Sequence, residues 1–341
     1  MSKPARRSVS FIVPFFDEAA SLPRLLDELR NFIEGAKFRW PVDFDLIFVD
    51  DGSRDGGREV LKAYASANPQ ALPFRVIRLS RNFGKEIALS AGLSAATSDA
   101  VVLMDADLQH PVALVDQFLH GWIEEGCDVV YAFRRNDERD NWVRRMLGAA
   151  YYRLINATAE VAIPRDAADF RLLSRRAYLA LRELGERQRL MKGLYSWIGF
   201  PQKGVPYVPR ERPYGKSKFS LFGLWLLAVD GITSFSTLPL RLAVWAGFLL
   251  AVFAGGYGIW TIFEKFYYGI DVPGYPTLVV TIAFIGAAQL FFLGIIGEYI
   301  GKILIEVKRR PLFIVESDEA VKATASSSSQ RVKVDKKSVA E

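Results

Sequence analysis

Apolar and polar positions alternate regularly between residues 8 and about 210. Short β-rich runs are separated by segments whose apolar residues recur at helical spacing. Continuous apolar strands between amphipathic helices are typical of a mostly parallel sheet covered on both faces. The predicted strands are VSFIVPFF (9–16), FDLIFVD (44–50), FRVIRLS (74–80), AVVLMD (100–105) and DVVYAFR (128–134), and the predicted helices lie at 21–35, 56–68, 84–96 and 111–126.

Two later stretches are apolar on every side. Residues 242–263 contain no charge in 22 positions, and residues 278–297 are also uncharged. Each is long enough to cross roughly 30 Å of hydrocarbon as a helix, so we predict transmembrane helices rather than two buried helices of a soluble protein. Basic residues precede the first stretch and follow the second, which predicts that the sheet domain and both termini are cytoplasmic, at the inner membrane.

The segments that flank these stretches have mixed character. Residues 219–235 are apolar but interrupted by glycine and aspartate, which favours a helix lying in the membrane interface, and residues 141–161 are predicted to lie there too. Residues 323–341 are polar and serine-rich, as in a disordered tail. The predicted units are a sheet domain (1–210), a juxtamembrane loop and interfacial helix (211–237), two spans (238–301) and a cytoplasmic C-terminal segment with the tail (302–341).

Charge and cysteine content narrow the classes of partner. The formal net charge of +6 admits nucleic acid, an anionic membrane surface or a phosphorylated substrate. The sequence has no helix-turn-helix, zinc-finger or RNA-binding signature, so we expect no nucleic-acid partner. A single cysteine, Cys127, excludes a disulfide within the chain.

Polar residues capable of binding a ligand follow each of the first four predicted strands. Ligands of such sheets bind at the carboxyl ends of the strands, so we expect these residues to face one crevice. They are Asp17 and Glu18 after the first strand, Asp50, Asp51, Gly52 and Ser53 after the second, Arg81, Asn82, Gly84 and Lys85 after the third, and Asp105 and Asp107 after the fourth.

The acidic pair after the fourth strand predicts a metal site. Asp105 and Asp107 have no lysine or arginine beside them in the sequence, and Gln109 follows at once. Their hard oxygen ligands suit Mg²⁺ or Mn²⁺, and a cation that already carries a diphosphate needs only one or two protein carboxylates. The alternative is a turn that caps the helix beginning near Pro111.

Two further strand ends predict contacts with a nucleotide. Asp50 and Asp51 offer acceptors for a base imide and a ribose hydroxyl, although VDDGSRDGG is also a normal tight turn. Lys85 and Gly84 lie at a helix start, where free N–H groups favour an anion. Lys85 could equally be a solvated helix lysine.

Six motifs in this order resemble the polyisoprenyl-phosphate glycosyltransferases, which include dolichyl-phosphate mannose synthase and a bacterial branch that charges undecaprenyl phosphate. The motifs are VSFIVPFFDEAASL, FVDDGSRDGG, RNFGKEIAL, MDADLQHP, DFRLLSRRA and RPYGKSKFS. The resemblance implies an α/β catalytic domain with the GT-A fold, a nucleotide-sugar donor and inverting transfer to a lipid phosphate. Among donors it favours UDP-glucose, with UDP-galactose, UDP-GlcNAc, UDP-aminoarabinose and GDP-mannose as alternatives.

The same resemblance assigns roles to residues, with Asp17 departing from the family's usual asparagine. Asp107 and Asp169 would serve the transfer itself. Pro14, Phe16, Glu18, Asp50 and Asp51 would hold the uridine, Asp105, Asp107 and Gln109 the metal and diphosphate, and Arg134, Arg144, Arg171, Arg212, Lys216, Ser217 and Lys218 the acceptor phosphate.

The acceptor chemistry needs positioning more than deprotonation. A phosphate monoester has a second pKa near 6, so its oxygen is largely ionised at neutral pH. Asp169 could act as a base or orient Arg171, and we favour orientation. Basic residues between the sheet domain and the interfacial helix would meet the lipid phosphate, although such residues are often only attracted to anionic lipid.

Two other functions share parts of this pattern. A processive polysaccharide synthase would use the same donor crevice, but two spans per chain are too few to enclose a polymer, and the QxxRW motif of such enzymes is missing. A membrane-tethered nucleotide-binding protein would not need the acidic pair together with a basic loop. Small residues near Gly286 and Gly294 permit a homo-oligomer packed through the spans.

Overall fold

Within the residues that the structure describes, eight strands form one sheet flanked by helices. The computed structural model describes residues 6–68, 72–134, 164, 167–187, 189, 191–208, 210, 238–269 and 274–321. The strands are β1 (Arg7–Phe15), β2 (Val42–Asp50), β3 (Phe74–Leu79), β4 (Ala100–Leu103), β5 (Val129–Arg134), β6 (Ala167–Ser174), β7 (Gln202–Tyr207) and β8 (Val315–Val321). The helices are α1 (Leu22–Arg39), α2 (Gly57–Ala67), α3 (Lys85–Ala95), α4 (Val115–Ile123), α5 (Arg175–Glu183), α6 (Met191–Trp197), α7 (Leu238–Tyr268) and α8 (Tyr275–Val307).

The sheet is mostly parallel and has the order β7-β5-β6-β4-β1-β2-β3-β8. Strands β4, β1, β2 and β3 run parallel, whereas β6 and β8 run antiparallel to their neighbours. The chain order reverses on either side of β1, so β1 and β4 lie next to each other at the point where ligands of open α/β sheets bind. The five predicted strands and four predicted helices are confirmed, and so is the mostly parallel GT-A architecture.

Two apolar layers cover the two faces of the sheet. Along β1, Phe11 and Val13 belong to the layer under α1, α2 and α4, while Ile12 belongs to the layer under α3, α5 and α6. Helix α3 lies so close to β1 that a Cβ at Gly92 would be 2.3 Å from Ile12 Cγ2. This close contact fixes the start of α3 against the carboxyl ends of the central strands.

Strand β6 brings a distant segment to the crevice. Because β6 is antiparallel to β4 and Arg171 pairs with Leu103, Asp169 lies beyond the end of β4, beside Asp105. The sequence pattern did not predict β6 or β7, nor α5 and α6.

Strand β8 is a further element that the pattern did not predict. It follows the two long apolar helices and pairs antiparallel with β3 at the edge of the sheet. Its acidic side chains meet basic partners on β3 and α2, including Arg75–Asp318 and Lys62–Glu319, each at 2.5 Å. Residues 315–321 are therefore part of the same sheet as the first strands of the chain.

Two helices are long and apolar enough to cross a bilayer. The candidate spans are Leu242–Tyr267 and Val280–Val307, within α7 and α8. Their large apolar side chains are exposed, among them Phe253 at 74% and Ile282 at 64%. Apolar surface of this extent is favourable against lipid and unfavourable against water. The predicted interfacial helices at 141–161 and 219–235 and the tail at 323–341 lie outside the described residues.

Candidate active site

Two adjoining cavities open at the carboxyl ends of β1 to β4. The first, of about 290 Å³, contains every predicted donor-binding side chain except Asp50, and Asp107 as well. The second, of about 360 Å³, lies beside it, and Phe16 and Asn82 line both. The residues of the first that were predicted from the sequence are Pro14, Phe16, Glu18, Asp51, Asn82, Gly84, Lys85, Asp105 and Asp107.

The paired aspartates after β2 order the loops that frame these cavities. Asp51 accepts hydrogen bonds from the backbone N–H groups of Phe83 and Gly84, both at 2.8 Å. Burial raises the pKa of the Asp51 carboxyl despite these two bonds. Asp50 is 2% exposed and accepts a hydrogen bond from the backbone N–H of Ser53 at 2.7 Å. In this structure Asp50 stabilises the turn, so its contact with a base stays a prediction.

Gly52 lets the turn after β2 pack against the loop after β3. Its φ of 75° is in the left-handed region, and a Cβ there would lie 2.6 Å from the carbonyl carbon of Arg81. Only glycine satisfies both conditions. The turn after β2 and the loop after β3 therefore pack directly against each other.

Lys85 joins two carboxylates that are far apart in the sequence. Its Nζ lies 2.8 Å from Asp105 Oδ1 and 2.7 Å from Asp169 Oδ2. Burial opposes ionisation of both acids, but the Lys85 ammonium outweighs it and holds the pKa of each carboxyl below its ordinary value. Burial likewise opposes the charge on Lys85, yet the two carboxylates raise its pKa. Lys85 is therefore a fixed cation at the centre of the acidic cavity.

Buried side chains pack behind Lys85, Asp105 and Asp169. Arg171 is 2% exposed; its guanidinium lies 3.6 Å from the centre of the Tyr195 ring and donates to the carbonyl oxygen of Ala168 at 2.6 Å. Arg171 thus lies behind Asp169 rather than at the open mouth of the crevice. This position suits the orienting role for the pair better than direct contact of Arg171 with a lipid phosphate, which stays a prediction.

Glu86, next to Lys85, is also buried among these groups. Burial and the nearby Asp169 carboxylate raise the pKa of Glu86 from 4.5 to about 7. Glu86 accepts a hydrogen bond from the backbone N–H of Met191 at 3.3 Å. The Glu86 carboxyl is therefore mostly neutral below about pH 7 in the folded protein.

A Glu86→Gln variant is expected to be more stable than the parent above pH 7. A raised folded-state pKa contributes stability below pH 4.5 that is lost as pH rises through about 7, and glutamine keeps the acceptor without the charge. Denaturant unfolding at pH 5 and pH 8 checks this: the parent should lose on the order of 2 kcal/mol relative to the variant. Equal pH dependence of both proteins would contradict the assignment.

The acidic pair fits a cation that brings ligands of its own. The described residues contain no group of three or more His, Cys, Asp or Glu arranged to hold a metal ion. Asp105 and Asp107 nevertheless both line the first cavity, and Asp107 Oδ1 accepts the backbone N–H of Gln109 at 3.1 Å. Two carboxylates suffice for Mg²⁺ or Mn²⁺ when a diphosphate supplies further oxygens. The positive group that the sequence did not reveal beside Asp105 is Lys85.

Of the seven predicted acceptor residues, the structure describes Arg134 and Arg171. Arg134 is exposed at the end of β5. Tyr207, which pairs with Arg134 from β7, has its ring tilted at 5.4 Å from that of His110, and the His110 ring stacks on Phe170 at 5.0 Å. Arg144, Arg212, Lys216, Ser217 and Lys218 lie outside the described residues.

Sequence reasoning missed three residues that shape the site: Glu86, Tyr195 and Arg78. Arg78 lines the second cavity and lies 3.9 Å from Asp50. A charged residue near the end of an otherwise apolar strand was the available signal for Arg78. For Glu86 and Tyr195 no local pattern existed, because both are brought to Asp169 by long-range pairing.

The family models and the relatives that match this chain agree on its family. Residues 10–181 match the model of glycosyl transferase family 2, and residues 238–303 match that of the GtrB C-terminal hairpin. The SfII prophage-derived bactoprenol glucosyl transferase of Shigella flexneri is 39% identical over 308 residues, which is 90% of this chain and 97% of that protein. A prophage bactoprenol glucosyl transferase homolog of Escherichia coli is 38% identical over 90% of this chain and 98% of its own length.

Solved structures offer more distant similarity. Glucosyl-3-phosphoglycerate synthase from Mycobacterium tuberculosis, crystallised with Mn²⁺, UDP-glucose and phosphoglyceric acid, is 22% identical, with a TM-score of 0.42 over 67% of this chain and 78% of that one. The family match and the relatives confirm the resemblance drawn from the motifs. The chain belongs to glycosyltransferase family 2 and is a glycosyltransferase whose catalytic domain is followed by a GtrB-type helical hairpin.

Proposed function

We propose that this glycosyltransferase moves glucose from UDP-glucose to a polyprenyl phosphate, undecaprenyl phosphate in bacteria, and inverts the anomeric centre. The observation that carries most weight is the match to bactoprenol glucosyl transferases across both the catalytic domain and the hairpin. The acidic cavity with its central lysine supports a donor that carries a diphosphate. Glucose is favoured over the other sugars by the names of these relatives.

The proposed step is a direct displacement. A phosphate oxygen of the lipid attacks the anomeric carbon as the bond to the diphosphate oxygen breaks, and UDP leaves with the bonding electrons. Because the attacking oxygen is already ionised at neutral pH, the site does not have to remove a proton. Lys85 then keeps Asp169 ionised and fixed beside Asp105, and Asp169 orients the reacting groups.

Asp105 and Asp107, with Gln109 beyond, are the proposed metal ligands. A divalent cation held there would offset the negative charge that builds on the departing diphosphate. Pro14, Phe16 and Asp51, which line the same cavity, would contact the nucleoside.

The proposed location is the inner membrane, with the catalytic domain and both termini in the cytoplasm. Two spans return the chain to the side on which it started. The pairing of β8 with β3 supports this topology, because residues 315–321 can join the sheet only from the same side of the bilayer as the catalytic domain. The domain boundaries proposed from the sequence follow the same division, with β8 as an added strand of the catalytic sheet.

The acceptor phosphate is proposed to bind Arg134 together with the basic residues at 212–218. Arg134 is exposed at the carboxyl end of β5, which faces the same edge as the acidic cavity. A processive synthase would need a channel for its polymer. The two candidate spans in the described part of the chain favour transfer of a single sugar.

Product analysis tests this function. Purified protein, Mg²⁺ and undecaprenyl phosphate are incubated with UDP-glucose, UDP-galactose, UDP-GlcNAc, UDP-aminoarabinose and GDP-mannose, and the lipid product is identified by mass. We expect a single hexose on the lipid phosphate with UDP-glucose. A polymer would indicate a synthase, and a different preferred sugar would correct the donor. Absence of turnover with every donor would contradict the proposal.

A further inference from the structure

The C-terminal strand has a bulge where it passes the end of β3. Arg78 pairs with Ser317, whereas the next residue, Leu79, pairs with Val315, so Glu316 is the extra residue. A bulge turns a side chain away from its regular direction and is frequent beside active sites. Here it places Glu316 Oε2 at 3.0 Å from Arg78 Nε.

Arg78 and Ser80 line the second cavity, and both contact residues of the bulged segment 314–316. The Arg78 guanidinium extends from Glu316 towards buried Asp50, whose Oδ2 is 3.9 Å from Arg78 Nε. Ser80 donates its backbone N–H to the carbonyl oxygen of Ile314 at 3.0 Å. Two residues of the cavity wall are therefore held by residues 314–316.

The two cavities differ in the charge of their linings. Three arginines and one aspartate line the second cavity, whereas four acids and Lys85 line the first. Since Phe16 and Asn82 belong to both walls, a nucleotide diphosphate can extend from one cavity into the other. The arginines of the second cavity are Arg54, Arg78 and Arg81.

We infer that Glu316 is a positioning residue for nucleotide binding, which orients Arg78 in the wall of the second cavity. The donor site is thereby completed by a strand that the chain reaches only after the two apolar helices. Without the Glu316 carboxylate, the Arg78 guanidinium loses the 3.0 Å ion pair and keeps the 3.9 Å contact with Asp50. This inference rests on the proposed function, because it assigns Glu316 to the same nucleotide.

Strand β8 has a second ion pair that provides a matched control. Asp318 lies on the same strand, two residues from Glu316, and binds Arg75 through two hydrogen bonds. Neither Asp318 nor Arg75 lines either of the two cavities. Asp318→Asn therefore weakens the attachment of β8 without touching the proposed site.

The experiment measures UDP affinity of the full-length protein in detergent by isothermal titration with Mn²⁺ present. We expect Glu316→Gln to bind UDP about three- to five-fold more weakly, because the ion pair that orients Arg78 at the cavity wall is lost. Asp318→Asn should stay within about two-fold of the parent, because its partner Arg75 lines neither of the two cavities. Steady-state kinetics should show a higher KM for UDP-glucose in Glu316→Gln and an unchanged kcat, the pattern of lost ground-state binding.

A double-mutant cycle separates orientation from folding. Arg78→Gln should weaken UDP binding at least as much as Glu316→Gln, and combining the two should add little, because both remove the same oriented group. Parent-like UDP affinity in Glu316→Gln would overturn the inference, and so would an equal loss in Asp318→Asn. A parent protein that does not bind UDP at all would instead overturn the proposed donor, and the inference with it.

Discussion

Asp107→Asn is expected to reduce sugar transfer by at least about a hundred-fold while leaving the fold intact. The carboxylate lies at the wall of the acidic cavity and accepts the backbone N–H of Gln109. Asparagine keeps that acceptor but removes the charge that a divalent cation needs. Loss of one preorganised charge at a reacting centre costs on the order of 10²–10³ in rate. Initial rates with saturating UDP-glucose and Mg²⁺ measure the effect.

Asp43→Asn is the matched control for this variant. Asp43 is an exposed aspartate near the start of β2. It lies at the amino ends of the parallel strands, away from the cavities, and pairs with Arg6. It should retain parent-like activity, and both variants should unfold at the parent's temperature. Full activity of Asp107→Asn would refute the metal assignment, and unfolding of that variant would show that Asp107 serves the fold instead.

Lys85→Met is expected to reduce transfer by about a hundred-fold or more and to lower the stability of the folded protein. Methionine keeps much of the apolar stem but leaves Asp105 and Asp169 facing each other without the ammonium that lies within 3 Å of both. The two carboxylates would then repel each other and the incoming diphosphate. Their side chains are only 23% and 16% exposed, so solvent compensates little for the lost counter-ion.

Lys85→Arg separates charge from position. Arginine restores the positive charge but not the point-like ammonium that bridges two carboxylates. We therefore expect partial recovery of both the rate and the unfolding temperature relative to Lys85→Met. If Lys85→Met transferred glucose at the parent's rate, Lys85 would be a structural residue only.

The central part of the fold was predictable because its signals are local. Strands β1 to β5 are short apolar runs, and each is followed by turn or cap residues within a few positions. The long apolar helices were predicted for the same reason, although they extend beyond the predicted stretches to Leu238–Tyr268 and Tyr275–Val307. Local pattern and tertiary packing agree throughout this region.

The other elements depend on partners that are distant in the sequence. Strand β6 contains Asp169 and Arg171, whose charges obscure its alternation, and they are accommodated only because Lys85 and the Tyr195 ring meet them. Strand β8 reads VESDEAV, an acidic segment without an apolar face. Its acids become favourable only beside the arginines and the lysine of β3 and α2. No local pattern contains that information.

The same difference between local signals and long-range pairing applies to the candidate site. The residue types and their placement at strand ends predicted seven of the twelve residues that line the first cavity, and the family resemblance added Pro14 and Phe16. The sequence interpretation of Lys85 as an anion ligand did not include its contacts with Asp105 and Asp169, which follow from the register of β6 against β4. The partner of the acidic pair lies 20 residues earlier in the chain than Asp105.

In the proposed topology, the return of the chain to β3 attaches the catalytic domain to the bilayer at two points. A domain attached at one point rotates about that point. Each encounter with a lipid headgroup would then require a new search for the productive orientation. Two attachments on opposite parts of the domain remove most of that rotation. The entropy of alignment is then lost once, when the chain folds, rather than at every turnover.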